Sequence, residues 1–492
     1  MYREATKGRL FKHFAFNAAI YGASLGLVRF GWVLLLPFYW QKLTPADYGI
    51  IGIAQLVQVV LGPILSIGLH DAVQRFFHEW NDDERPRYVA ALWAVSLVFS
   101  IVICALLNWA GPWLFEQLFS QVPFDPYLQI TLWAAFFTNL SAFPLAILRS
   151  RERLKAFSVI TILAFLSQAT LTLYFVLGLD MGAHGYLLGV LLSAILMGGC
   201  YAFLMLRECH FKFSMQHISQ PLRYSLPTVP VAILDGTASL FDRFFLDKHV
   251  PLAQIGLYNL GNQFGSAFNF FNQTLKTSWL PFLYRVVSER EDGPEVLSKY
   301  AVYYLALLVV PALAVSLLSE ELIKLMGDPR YYGVYTYVPG FVLIYYIQSV
   351  AAAMGRGMDL AKKTHLWPAV PISAIVVSLF GLSILVPSYG LWGAIAALIV
   401  AALVRVTVQV WLSVRYYPRP LRLGQLSIIW LVGMLFFGMG FALDGIPWWV
   451  ELMAKLVLIA VAIVIIGRLA IGRAGFANVL GLLRNSLRIK GG

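Results

Sequence analysis

The chain has 492 residues, of which 59% are hydrophobic and only 13% charged; its mean hydropathy is +0.73 and its formal net charge +12. A soluble chain of this length would divide into several domains and carry about twice that share of charge. Water-soluble classes are therefore excluded, and the basic excess needs another explanation than nucleic acid.

In chain order, residues 14–471 read as about fourteen apolar stretches, each near the roughly 20 residues that a bilayer-spanning helix needs. They cover 14–40, 49–70, 87–110, 127–148, 157–178, 183–206, 224–247, 254–283, 300–318, 333–353, 366–387, 390–414, 424–443 and 448–471. The first is longer than a signal-peptide core and shows no small-residue cleavage pattern before Gln41, so it is expected to stay. Alternate gaps hold 29 of the 37 basic residues, from Arg3, Lys7, Arg9 and Lys12 through Arg149, Arg151, Arg153 and Lys155 to Arg484, Arg488 and Lys490. Only Lys42, Lys248, Lys324, Arg330 and Lys455 fall in the opposite gaps, and Arg29, Arg243 and Arg405 lie within apolar stretches. By the positive-inside rule both termini are expected in the cytoplasm of a bacterial inner membrane. The basic side then faces anionic headgroups, which accounts for the net charge. Membrane lipids are thus a partner and nucleic acid is not.

The gaps on the other side are short, as in Asp180–His184 and Pro387–Gly390, leaving no room for a folded external domain. That argues against a membrane glycosyltransferase, polymerase or ligase. His70–Arg87 and Arg285–Lys299 are the longest exposed pieces and read as solvated helix ends. Cys104, Cys200 and Cys209 are odd in number and unclustered, offering neither a disulfide framework nor a metal site.

A short internal repeat organises the chain. Leu43-Thr-Pro-Ala-Asp-Tyr-Gly49 leads on to Gln55, and Val250-Pro-Leu-Ala-Gln-Ile-Gly256 leads on to Asn262; Ala46, Gly49 and Gln55 match Ala253, Gly256 and Asn262 in spacing. Both copies run from an outer gap into an even-numbered span, six spans apart, which is the pattern of a parallel repeat. The expected architecture is an all-α polytopic membrane protein. It has a six-helix lobe over 1–222, a pseudo-symmetric six-helix lobe over 223–423, two additional transmembrane helices over 424–471 and a basic cytoplasmic tail over 472–492.

At Leu43-Thr-Pro-Ala-Asp-Tyr-Gly49, Asp242-Arg243-Phe-Phe-Leu and Ala253-Gln-Ile-Gly256-Leu-Tyr258 the chain resembles the Wzx-type polysaccharide (O-antigen) flippases of the multidrug/oligosaccharidyl-lipid/polysaccharide exporter superfamily. The resemblance implies two lobes in a V around a central cavity, and translocation of undecaprenyl-diphosphate-linked oligosaccharides from the inner to the outer leaflet for O-antigen, capsule or exopolysaccharide synthesis. It also implies polysaccharide polymerase and chain-length machinery as partners. Fourteen helices is the count in the related lipid II flippases, whose last two helices form a groove for the lipid tail.

Ionisable groups deep in a bilayer are costly and mark function by default. Arg29 lies roughly 22 Å along the first span at 1.5 Å per residue, on a face shared with Asn17 and Tyr21. It is expected to face an aqueous interior, and the resemblance implies contact with the substrate's diphosphate or sugar; the alternative is an ion pair with Asp235. Asp235 shares a face of the seventh span with Thr228, Ser239 and Asp242. It is either a protonation site for ion coupling or the permanent counter-charge of Arg29 or Arg405. Asp242 and Arg243 read as an outer gate contact or a local pair, and Arg405 as a weaker coupling candidate that can snorkel to the inner surface. The eighth span carries Asn259, Asn262, Gln263, Asn269, Asn272, Gln273 and Lys276 at three- to four-residue spacing. Amides beside a cation offer sugar hydroxyls both donors and acceptors, a cavity lining favoured over interhelical bonding alone. Gln55 and Gln58 are expected to face this stripe. The candidate substrate-binding set is therefore Arg29, Gln55, Gln58, Asp235, Asn262, Asn269, Gln273 and Lys276.

No Walker A, metalloprotease or Ser-His-Asp pattern is present, so no catalytic residue, cofactor or metal is assigned and the chain is expected not to be an enzyme. His70 and His184 sit at helix ends and read as interfacial. An ion-coupled multidrug or small-molecule exporter of the same fold, or a lipid II-type flippase, is the alternative function. The prominence of Arg among the deep charges favours an anionic substrate over a cationic drug.

Overall fold

The computed structural model describes residues 26–28, 30–77, 79–81, 83–209, 216–226, 228–361, 363–443 and 447–489. Among these no strand occurs, and the chain divides into two compact units, Met1–Gly256 and Leu257–Gly492. Ten helices among the described residues are long and apolar enough to cross a bilayer. Large apolar side chains such as Leu34, Trp109 and Phe380 stand exposed on their surfaces, which a bilayer tolerates and water does not.

The first unit contains α1 (Gly26–Trp40), α2 (Pro45–Ser66), α3 (Leu69–Phe76), α4 (Arg85–Leu118), α5 (Gln129–Asn139), α6 (Ala142–Ser150), α7 (Leu154–Leu173), α8 (Gly182–Glu208), α9 (Gln216–Ser225) and α10 (Thr228–His249). The helix α11 (Leu252–Gly265) crosses the boundary between the units. The Thr-Pro-Ala-Asp motif builds the start of α2. Asp47 N donates to Thr44 Oγ1 at 3.2 Å and Thr44 N to Asp47 Oδ2 at 2.8 Å, with Pro45 in the first turn. The second carboxylate oxygen accepts the Ala183 amide at 3.0 Å, so one aspartate caps both α2 and α8.

The repeat is also legible in three dimensions. Gly49 lies against the Leu252 carbonyl and Gly256 against the Pro45 carbonyl, and a Cβ at either position would collide with that oxygen. Each copy uses its glycine to admit the backbone of the other. The helix α10, whose sequence opens the second repeat, packs in the first unit. Its buried Asp247 accepts from Ser120 N, from Ser120 Oγ at 2.8 Å and from Gln121 N at 3.3 Å, while Gln121 Nε2 reaches the Val250 carbonyl at 2.9 Å.

The helix α3 belongs to the stretch that reads in the sequence as a solvated helix end. Instead, Leu69, Ala72, Val73 and Phe76 bury one face in a cluster with Trp80, Trp93, Phe143, Ile147 and Met205. The spacing i, i+3, i+4, i+7 leaves His70 and Asp71 on the opposite side.

The second unit contains α12 (Ala267–Glu289), α13 (Gly293–Leu325), α14 (Val338–Met354), α15 (Gly357–Leu360), α16 (Ala369–Tyr416), α17 (Leu423–Phe441) and α18 (Trp448–Ile489). One expectation changes here. The single eighth span is two helices, α11 and α12, separated at Ser266, whose hydroxyl turns back to the Gln263 carbonyl at 2.7 Å. The eleventh and twelfth expected spans are the two arms of α16, which meet at a kink at Gly390, where φ is 54°. The helices α10 and α12 are long enough to cross but too polar to count among the ten apolar spans, and α11, at 14 residues, is too short.

Candidate functional site

The candidate residues fall in different surroundings. Arg29 lies outside the described residues, and Asp235 is placed on α10 by its backbone alone. Asp242 and Arg243 are both buried and form a salt bridge with each other, the local pair that the sequence allows. Gln55 is exposed on α2 and hydrogen-bonds Tyr186 of α8, whereas Gln58, almost one turn further on, is half-buried. In the second unit Asn262 accepts from the Tyr345 hydroxyl at 2.8 Å and Asn272 from the Tyr304 hydroxyl at 2.7 Å. Two amides of the stripe therefore tie helices together. Asn269 and Lys276 are half-buried and Gln273 is exposed. Lys276 lies within Coulombic range of Arg356, at the end of α14. Arg405 is half-buried on α16.

One candidate lines a cavity of mixed wall, half of whose lining residues are polar. Gln58 shares a space of about 460 Å³ with Ser66, His70 and Asp71, and with Thr138, Asn139 and Ser141 from the α5–α6 segment. The first turns of α10, at Val229 and Ala232, complete the wall. The volume lies within the range of small-molecule sites. Its floor is made by a sharp reversal after α2, in which Ile67 has φ 50° and Gly68 φ 64°. Glycine adopts that conformation freely, but a β-branched residue there is a true outlier, a kind of strain that concentrates at functional sites. Hydrogen bonds hold the reversal in place. Ser100 Oγ donates to the Leu65 carbonyl at 2.7 Å, Asn139 Nδ2 reaches Ser100 Oγ at 3.5 Å, and Gly68 N donates to Ser66 Oγ at 3.3 Å.

This reversal carries the chain into α3 and sets His70 at the cavity wall. Its Nε2 is 3.4 Å from Asp71 Oδ1, while Nδ1 is buried without a hydrogen-bond partner. Burial holds the His70 pKa below the ordinary histidine value; Arg149 pushes the same way and Asp71 opposes both. The cavity thus presents a neutral imidazole, a carboxylate, two amides and three hydroxyls.

The second unit holds a charge cluster that the sequence conceals. Lys455, read there as an outer-gap residue, lies within α18 and is only 2% exposed. Its ammonium is 2.5 Å from Glu451 Oε1, 3.2 Å from Glu320 Oε2 and 2.7 Å from Glu321 Oε1. Lys324 adds a second ammonium at 2.5 Å from Glu320 Oε1. The three carboxylates could together ligate a metal ion, but the Lys455 ammonium already occupies that cationic role. Arg419, counted among the inner-gap cations, is buried instead and donates to the Met354 carbonyl at the end of α14. Burial lowers its pKa to about 10, with Tyr417 acting in the other direction.

An apolar pocket of about 600 Å³ lies among α13, α14, α16 and α17. Val309, Leu343, Trp392, Trp430 and Phe437 are among its walls.

The polysaccharide biosynthesis protein family matches residues 42–330, more than half of the chain. A protein of the Lsg locus of Haemophilus influenzae is 22% identical over 320 residues, which span 63% of this chain and 76% of that protein. Among solved structures, the lipid II flippase MurJ in an inward closed conformation superposes with a TM-score of 0.74 at 12% identity, covering 92% of this chain and 99% of that one. An inward-facing multidrug resistance transporter of the MATE family gives a TM-score of 0.63 at 14% identity, covering 82% and 98%. At these identities the superpositions establish a shared fold.

Proposed function

The chain belongs to the polysaccharide biosynthesis protein family, and we propose that it is a flippase that carries isoprenoid-diphosphate-linked oligosaccharide from the cytoplasmic to the outer leaflet of a bacterial inner membrane. The observation that carries this reading is the half-polar cavity at the end of the membrane-spanning helix α2. In a chain this apolar, a lining of amides, hydroxyls and a carboxylate suits a ligand rich in hydroxyl groups. The fold shared with a lipid II flippase supports it, since that protein's substrate is itself a lipid-linked saccharide.

In the proposed mechanism the two halves of the chain rock to expose a central path alternately to each side. Sugars pass along the polar groups, including Gln55, Gln58, Asn269 and Gln273. Arg29 and Lys276, with Arg356 within Coulombic range, attract the diphosphate. The isoprenoid tail stays in lipid, and the apolar pocket among α13, α14, α16 and α17 suits such a chain. Asp235, Asp242, Arg243 and Arg405 remain the candidates for coupling and gating. The chain acts as a transporter rather than an enzyme, with both termini in the cytoplasm and with polymerase and chain-length machinery downstream.

Deletion of the gene tests this. Completed lipid-linked oligosaccharides should accumulate on the cytoplasmic side and be cleared by the wild-type chain but not by Arg29→Ala. Unchanged precursors and normal surface glycan would overturn the reading in favour of a small-molecule exporter of the same fold.

A further inference from the structure

The unmet groups of the cavity select a chemistry. Asp71 is 60% exposed at its side chain and has open acceptor positions. In a neutral His70, the Nε2 that faces the Asp71 carboxylate is the nitrogen that carries the proton, so the partnerless Nδ1 is an acceptor. Gln58 and Asn139 add amide carbonyls, and Thr138 and Ser141 add hydroxyls that can accept or donate. The surplus is in acceptors, and the fixed formal charge of the lining is that of Asp71, with the Arg149 cation within Coulombic range of His70. A diphosphate brings only acceptors and negative charge, so it meets the carboxylate unfavourably and leaves the acceptors of the lining unmatched. A sugar ring brings several O–H donors without charge, and each hydroxyl can also accept from an amide N–H. A space of about 460 Å³ admits one or two such rings.

We propose that this cavity, walled by Gln58, His70, Asp71, Thr138, Asn139 and Ser141, is a subsite for an uncharged sugar ring of the transported glycan, separate from the groups that attract the diphosphate. The inference rests on the flippase reading and adds to it where on this chain the glycan is recognised. Its position is informative. The reversal at Ile67–Gly68 and the first turns of α10 lie on the side that the basic gaps assign to the cytoplasm, where the lipid-linked glycan is built, and the α5–α6 junction lies deeper, within its own span. His70 is a positioning residue here, because its Nε2 stands 3.4 Å from Asp71 Oδ1 at the cavity wall while its Nδ1 is buried.

The test uses the full chain in the deletion strain, with Asp71→Asn and Thr138→Val expressed at levels matched to wild type. It also uses the purified full chains in lipid nanodiscs, titrated separately with the water-soluble oligosaccharide released from the trapped precursor and with inorganic pyrophosphate. The proposal expects each variant to clear precursor at least about tenfold more slowly than wild type. Each should also bind the oligosaccharide at least about tenfold more weakly, with pyrophosphate binding and the thermal midpoint unchanged. Thr138→Val conserves volume and keeps the test clear of misfolding. Variants that clear precursor and bind oligosaccharide like wild type would overturn the subsite and leave the flippase reading standing. Weakened pyrophosphate binding with unchanged oligosaccharide binding would make the cavity an anion site and overturn it equally. A deletion strain that traps no precursor would remove the flippase reading first and the subsite with it.

Discussion

The Glu320–Glu321–Glu451–Lys455 cluster and the cavity beside Asp71 place similar polar groups in an apolar protein and resolve their cost in opposite ways. In the cluster, three carboxylates converge on one buried ammonium at 2.5–3.2 Å, and a second ammonium from Lys324 joins them. Charge meets charge within the protein, across two membrane-spanning helices, α13 and α18, although Glu321 contributes an ion pair and no hydrogen bond. In the cavity, Asp71 remains 60% exposed, His70 Nδ1 has no partner and the floor is a strained turn. Polar groups that satisfy one another hold a structure together, whereas those left unsatisfied around a space are prepared for something that enters it.

That contrast can be broken or sharpened by mutation. The largest effect should come from Lys455→Met, which strands the carboxylates of Glu451 and Glu321 and leaves Glu320 with Lys324 alone. A loss of about 3–5 kcal/mol is expected for breaking a buried ionic group, read as a lower thermal midpoint in detergent. Combining it with Glu451→Gln should cost less than the sum of the two single changes, since the pair is in contact. A neutral Lys455→Met would mean the cluster is not what secures α18. Asp47→Ala removes the carboxylate that caps α8 and the reciprocal half of the α2 capping box, leaving the Thr44 cap, and should cost about 0.5–2 kcal/mol for the cap lost at α8, measurable in the same way.

The pH response is smaller and belongs to the cavity. The folded protein favours neutral His70, whereas the unfolded chain protonates it near the ordinary value of about 6.5. The stability contributed by His70 is therefore fully present above that value. It falls as the pH drops from there to the lowered folded-state pKa, at no more than about 1.4 kcal/mol per pH unit. His70→Gln should flatten this part of the midpoint-versus-pH curve, and an unaltered curve would contradict the burial of the ring. Thr138→Val should have the smallest effect on stability, within about 0.5 kcal/mol as for an ordinary surface change, although it alters transport. A stability loss as large as that of Asp47→Ala would erase the distinction between the two regions.

The sequence shows the all-helical membrane architecture plainly, because each helix must bring its own apolar length. The start of α2 had a local signal that the expected span of 49–70 leaves out: Thr44, Pro45 and Asp47 form a capping motif within four residues, and the helix begins at Pro45. What stayed hidden depended on contacts far apart in the chain. Lys455 lies 135 residues from Glu320, and in the sequence it reads as one of the few cations of the outer gaps. His70 likewise looked interfacial, because nothing local indicates that Ile67 and Gly68 turn left-handed or that Asn139 and Ser100 brace the turn. The amide stripe is visible in the sequence, but its spacing does not separate amides that bond tyrosines, such as Asn262 and Asn272, from those left half-buried, such as Asn269. A signal for α3 was present: its apolar residues at 69, 72, 73 and 76 trace one helical face within a stretch otherwise rich in charge.

The most direct test is to place the purified chain in liposomes loaded with lipid-linked oligosaccharide recovered from the deletion strain, and to follow how much glycan becomes accessible to an external glycosidase. Vesicles with the wild-type chain should expose glycan from both leaflets, while those with Asp71→Asn or Arg29→Ala should stay near the half that protein-free vesicles expose. Equal exposure with and without the wild-type chain would contradict translocation itself.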